Sequence, residues 1–430
     1  MMRTKQKLKE NTKESKYYIV FVITILFVGY ALSGPSSVRS NYISFFLFLV
    51  WCFVASITDS MALIKILNKK IILVFLMYEI FFFFTTLLSL DFHYTIKLFF
   101  ESFILFSPII IFQYFIGINQ NKLLKKLLYV SGSFWIFFTL RAIIFLNQNP
   151  SAARILASNQ NAYENALIGG GYSLAYGSAI LGIYIFDLAI NKSISNKKNR
   201  RFSLVIVLIF AVFIIKVQST ITIIAFFIGI VASLILSKLD LVKLNKSKKI
   251  LLKRISVIIC LIIFSFIFVI NYTNIGLFII NQTSDQDSAL KIRAIEIGEK
   301  MAYGEEANYM DARINIPLKS LKVFLKNPLV GIGYLTGYDY LIEKQLGLGN
   351  HGEWADALGT MGLLGGIPYL LIYIYGVKIE RKYSKQRVSP AWIITLVLMG
   401  LFNPFKTFQS HFALFFMISA IGYLMSNREN

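Results

Sequence analysis

IILVFLMYEIFFFFTTLLSL, residues 71–90, reads as one continuous apolar run with no period-two alternation. A hydrocarbon layer about 30 Å thick needs roughly 17 to 25 such residues in a helix. A membrane β-barrel strand would instead alternate apolar and polar positions over a shorter stretch. The same reading extends outward on both sides. Apolar runs fall near 17–33, 41–57, 71–90, 95–117, 127–146, 168–190, 203–217, 219–236, 255–280, 357–377, 391–404 and 411–426. Hydrophobic residues make up 56% of the chain and charged ones only 15%, against about 25% charged in soluble domains. The sequence therefore predicts an all-α, polytopic integral membrane protein with about 12 transmembrane helices.

The formal charge of +22 invites a nucleic-acid reading, but the positions of the cations give a different one. With the N-terminus inside, alternate connections read MALIKILNKK, NQNKLLKK, NKKNRR, KLDLVKLNKSKKILLKR and KIERKYSKQR. The opposite side receives SGPSSVRSN, SLDFHYT, KVQST and KTFQS, with few cations. That is the positive-inside bias, so the charge orients the chain and needs no nucleic-acid partner. The first run is followed by SGPSSVRSN rather than by a small-residue cleavage site and reads as an uncleaved span. Cys52 and Cys260 fall within expected spans as small apolar fillers. No cysteine/histidine cluster has metal-ligand spacing, so no metal or cofactor is expected.

Three parts follow: helices 1–9 over residues 1–280, one large extracytoplasmic loop over 281–356, and the last three helices over 357–430. Within the loop, ARINIPLKSLKVFLKNPLVGIGY (312–334) carries Ile314, Leu318, Leu321 and Leu325 at helical spacing, with Lys319, Lys322 and Lys326 largely off that stripe. Pro317 fits a first helical turn and Asn327–Pro328 a stop, giving a short amphipathic helix at the membrane surface. Next comes GNHGEWADALGTMGLLGG (349–366). Asn350 reads as a cap with Glu353 reaching back to it, and the helix starts at His351. His351, Trp354, Leu358 and Gly362 then share one face. The free N–H groups of such a helix start suit a phosphate.

These two stretches resemble the O-antigen polymerase and ligase superfamily. His351, Trp354, Leu358 and Gly362 match its H-[SN]-x-F-x-x-x-L-x-x-x-G signature. Arg313, Asn327, Pro328, Leu329, Gly331 and Gly333 match its arginine-led N-P-L-x-G-x-G stretch. The likeness covers about residues 311–366, and the rest agrees in topology. It departs at Gly352, where the family has a small polar residue, and at KVQSTI (216–221), where Lys216 is the cation nearest the place of the family's S-R-G.

The resemblance implies a metal-independent glycosyltransferase of the bacterial cytoplasmic membrane. Its donor and acceptor are undecaprenyl-diphosphate-linked oligosaccharides, joined on the outer face into capsule, exopolysaccharide or O-antigen, with a chain-length regulator as a further partner. It also implies that His351 acts on the acceptor hydroxyl or the leaving diphosphate, and that Arg313 grips diphosphate oxygens in the two-pronged manner open to arginine. Arg141, inside the fifth expected span, is a candidate because intramembrane arginines are costly. Arg154, Arg293 and Lys216 are weaker substrate-binding candidates. Trp354 fits an interfacial belt or a sugar-stacking platform. Glu353 fits a cap and, second, a base, and Asp356 fits a partner for His351 or an arginine. A ligase is the near alternative; a flippase or transporter is the alternative of another class, against which no repeated halves are visible.

Overall fold

The computed structural model describes residues 2–33, 38–89, 92–149, 152–153, 172–191, 193–194, 196–240, 308–333, 348, 352–385 and 388–427. The chain forms α1 (Met2–Leu32), α2 (Val38–Leu67), α3 (Lys70–Ser89), α4 (Phe92–Gly117), α5 (Asn121–Gln148), α6 (Tyr172–Ile190), α7 (Lys197–Val217) and α8 (Thr220–Asp240). They are followed by α9 (Asn308–Lys326), α10 (Glu353–Tyr383), α11 (Ala391–Phe402) and α12 (Phe408–Ser426). Among the described residues, 8 helices are long and apolar enough to cross a membrane. The protein is all-α with a polytopic membrane architecture. Of the expected spans, 255–280 lies outside the described residues, as does Cys260.

Side-chain exposure follows from that solvent. Phe46, Phe53, Ile57, Ile144 and Leu208 are all more than 60% exposed, in positions that a lipid environment stabilises and water does not. α6 and α12 form the interior, each 78% buried. Small residues allow this. Gly177 of α6 lies against the Trp135 ring of α5, where an added Cβ would sit 2.6 Å from the ring, and Trp135 Nε1–H donates to Ser178 Oγ at 2.9 Å. Gly177 and Ser178 of α6 thus let the two helices pack closely.

α2 is broken at Asp59, whose backbone is extended. Asp59 Oδ1 caps the following turn by accepting from Ala62 N–H at 3.0 Å, and Oδ2 accepts from Tyr17 Oη at 2.7 Å. The expected span 41–57 ends two residues before this break.

α10 is broken too, at Gly362 (φ 59°, ψ −157°). Tyr369 Oη and Glu353 Oε1 are hydrogen-bonded across a separation of 16 residues. An unbroken helix would hold them about 24 Å apart. The two halves, 353–361 and 363–383, therefore fold back on each other. Trp354 meets Tyr373 edge-on with ring centroids 4.9 Å apart, and Gly366 lies against Ala357 and Leu358.

Candidate functional site

The break at Gly362 leaves backbone groups without helical partners on both sides. Residues 328–333 supply them. Ile332 N–H and Gly333 N–H donate to the Gly359 and Thr360 carbonyls at 3.2 and 2.9 Å. Leu363 N–H and Leu364 N–H donate to the Pro328 and Leu329 carbonyls at 2.7 and 3.1 Å. The N-P-L-V-G-I-G loop is thus the cap of both half-helices, which satisfies backbone that a membrane interior would leave bare. The two motif stretches form one structural unit.

α9 closes the unit from the side. Ser320 Oγ donates to Asp356 Oδ1, and Asp356 Oδ2 accepts the Gly352 N–H at 2.9 Å. The Pro317 ring lies against Gly352, where an added Cβ would meet its Cγ at 3.4 Å and the Leu401 carbonyl oxygen at 3.0 Å. Arg313 precedes Pro317 by four residues, about one turn of α9. Pro317 is interior to α9, which starts at Asn308 and not at the proline. The leucine stripe Leu318, Leu321 and Leu325 is exposed, while Ser320 and Val323 are buried.

Three expectations change here. The helix begins at Glu353, with Gly352 as its cap and no side-chain cap bond, so His351 is not its first residue. Asn350, the expected cap, lies outside the described residues, and Glu353 is the first helical residue rather than the third that a capping box needs. Its carboxylate accepts from Tyr369 Oη and, at 3.1 Å, from the backbone N–H of Lys406. Asp356 is the residue that binds the backbone at the helix start. The common face of Trp354, Leu358 and Gly362 ends at the break.

Inside the fold-back lies a buried polar cluster. Tyr369 Oη contacts Tyr373 Oη at 2.8 Å, and Tyr373 Oη contacts His411 Nε2 at 2.6 Å. His411 Nδ1 lies 3.1 Å from the Leu105 carbonyl oxygen, and the imidazole stacks on Phe106 at 4.5 Å. His411 is the last residue before a π-helical stretch, Phe412–Ile418, of the kind found frequently at functional sites. Lys406 enters from the turn between α11 and α12. Its ammonium donates to Tyr78 Oη at 2.7 Å and faces the rings of Phe82, Tyr78 and Tyr369 at 4.8, 5.4 and 5.6 Å. Ser102 Oγ donates to Glu79 Oε1 at 2.8 Å, and Glu79 Oε2 is buried without a hydrogen-bond partner among the described residues. A carboxylate, an ammonium and an imidazole thus share one aromatic-walled interior.

The other expected site residues distribute as follows. His351, Arg154 and Arg293 lie outside the described residues. Arg313 is on α9, described as backbone. Arg141 is half-buried on α5, 5.8 Å from the Phe138 ring centre. Lys216 is exposed in the last turn of α7, so neither stands on the elements that carry the cluster. Trp354 packs between Tyr373 and Phe405 and donates from Nε1 to the Val397 carbonyl at 3.2 Å. Sequence reasoning passed over Tyr78, Glu79, Tyr369, Tyr373, Lys406 and His411. The usable signal was an ionisable residue inside an apolar run, as at Glu79 and His411.

No family model and no curated protein matches this chain.

Proposed function

We propose that the chain is a membrane glycosyltransferase that polymerises undecaprenyl-diphosphate-linked oligosaccharide repeat units on the outer face of the bacterial cytoplasmic membrane. The observation that supports this reading is the joining of the two motif stretches. The loop 328–333 caps the break at Gly362, and α9 packs through Pro317 on Gly352, the neighbour of His351. The helix that carries Arg313 thereby packs on Gly352, the residue that follows His351 in the sequence. In the reaction, a sugar hydroxyl of one repeat unit attacks the anomeric carbon of another. The bond from that carbon to the diphosphate breaks, His351 takes the hydroxyl proton, and undecaprenyl diphosphate leaves with its charge met by Arg313. Transfer to a final carrier, as in a ligase, uses the same chemistry.

Purified protein supplied with lipid-linked repeat units provides the test. His351→Ala and Arg313→Ala should each lower polymer formation by roughly 10²-fold or more. Arg313→Lys should not restore it, since a point charge cannot replace a bidentate contact. Polymer made at the wild-type rate by His351→Ala would refute the reading. A second reading, transport of a lipid-linked substrate, is favoured by one observation. The helix broken at Gly362 carries Glu353 to a buried charged cluster beside Lys406, and discontinuous helices carry the binding sites of many transporters. Movement of intact repeat units across vesicles without polymer would select it.

A further inference from the structure

We infer that Glu353, Tyr369, Tyr373 and His411 form a buried proton-transfer site: a hydrogen-bonded relay that holds one transferable proton between a carboxylate and an imidazole.

The argument is a count of hydrogens. A carbonyl oxygen only accepts, so the contact of His411 Nδ1 with the Leu105 carbonyl requires the hydrogen to be on Nδ1. Three contacts remain in the chain: Glu353 to Tyr369, Tyr369 to Tyr373, and Tyr373 to His411 Nε2. Each needs one hydrogen, and the two phenols supply two. The third sits either on the Glu353 carboxyl or on His411 Nε2.

With the proton on Glu353, the bonds run from Glu353 to Tyr369, to Tyr373, to a neutral His411. With it on His411, all three reverse direction and end on an ionised Glu353. The two states have the same atoms and the same net charge. They interconvert when three hydrogens each cross one hydrogen bond, with no bond between heavy atoms made or broken. Removing the third proton would set two lone pairs against each other at a buried contact, which is costly.

The surroundings contain the groups needed to bias the two ends. Lys406 approaches from the turn after α11, Tyr78 and Glu79 from α3, and Asp356 from the first half of α10. α4 contributes the Leu105 carbonyl and the Phe106 ring, and α12 contributes Phe415 at 5.5 Å from the imidazole. Tyr369, Tyr373 and His411 are each less than 5% exposed, so bulk water does not compete for the hydrogens. The inference is independent of the polymerase reading.

The test uses full-length protein in lipid nanodiscs. The sequence has 3 histidines, so His93→Gln and His351→Gln leave His411 as the only ¹⁵N-histidine signal. Infrared spectra give the protonated-carboxyl band of Glu353 as the part lost in Glu353→Gln. The expected result is a protonated Nδ1, together with Nε2–H and Glu353 carboxyl signals that sum to one proton at every pH across the neutral range. Glu353→Gln, whose amide oxygen accepts the Lys406 N–H and so leaves the NH2 to donate to Tyr369 as the protonated acid would, should hold Nε2 unprotonated. Tyr369→Phe should make the sum vary with pH, because each end then titrates alone. Tyr373→Phe cuts the chain at the other phenol and serves if Tyr369→Phe does not fold. An unprotonated Nδ1, a sum of zero or two in the parent protein, or a sum unmoved by the cut would overturn the relay.

Discussion

Gly331 and Gly362 meet backbone to backbone across the break in α10. A Cβ at Gly331 would run into the Thr360 carbonyl and reach 2.7 Å from Gly362 N; one at Gly362 would run into the Leu329 carbonyl and reach 2.6 Å from Val330 N. Both have positive φ, 73° and 59°. The Gly362 pair of angles lies in a region that essentially only glycine occupies. The obstacles are backbone, so no rotamer change relieves them.

Gly362→Ala should therefore destabilise the protein by about 3 kcal/mol or more, combining strain with displacement of the capping loop. Gly331→Ala should cost a similar amount. Gly132→Ala is the control: it sits in α5 with only Met417 Cε nearby, at 3.8 Å, and should gain about 0.5–1 kcal/mol in a helix interior. Thermal unfolding in detergent gives the three values. A neutral Gly362→Ala would mean that the break does not depend on the glycine.

The contact of Asp356 with Ser320 and the Gly352 N–H predicts a different loss. Asp356→Ala removes a charged acceptor from two buried donors, which commonly costs 1–3 kcal/mol each where they stay unsatisfied, as an order of magnitude. The loss should be local. α9 should loosen from α10 and become the first point of limited proteolysis, between residues 308 and 333. Ser320→Ala, which removes one donor, should show the same cleavage at a lower rate. Unchanged protection in Asp356→Ala would exclude the clamp.

Lys406 holds its ammonium in a cage of three rings with one hydrogen bond to Tyr78. Desolvated cation–π contacts contribute about 2 kcal/mol. Lys406→Met should lower stability by about that amount, and Tyr78→Phe by about 1 kcal/mol. Because the two side chains share a bond, the double variant should show an interaction energy of about 0.5–3 kcal/mol. Additive losses would show that the bond contributes nothing.

The spans were legible because their signal is length and apolarity, which the solvent imposes locally. The run 95–117 coincides with the membrane-spanning part of α4, Thr95–Gly117. The break at Gly362 was not legible, because its cause is distant: a loop thirty residues earlier supplies the partners that make breaking affordable. The motif stretches were each visible, but not that one caps the other. The sequence around Glu353 offers only a local cap. Tyr369 and Lys406, the partners of Glu353, lie 16 and 53 residues away. His411 and Lys406 join the cluster through packing of α4, α10 and α12, which no periodicity encodes.

Orientation rests on the distribution of lysine and arginine and has a direct test. Lys198, in the first turn of α7, and Lys322, on α9, are both exposed. If the basic connections face inward, Lys198 lies in the cytoplasm and Lys322 outside. In a background with Cys52→Ala and Cys260→Ala, Lys322→Cys should react with a membrane-impermeant thiol reagent in intact cells. Lys198→Cys should react only after permeabilisation. Neither position packs against the core, so both variants should fold. Labelling of Lys198→Cys alone in intact cells would invert the protein in the membrane. It would also place α9 on the cytoplasmic side, which would refute the proposed extracytoplasmic polymerase.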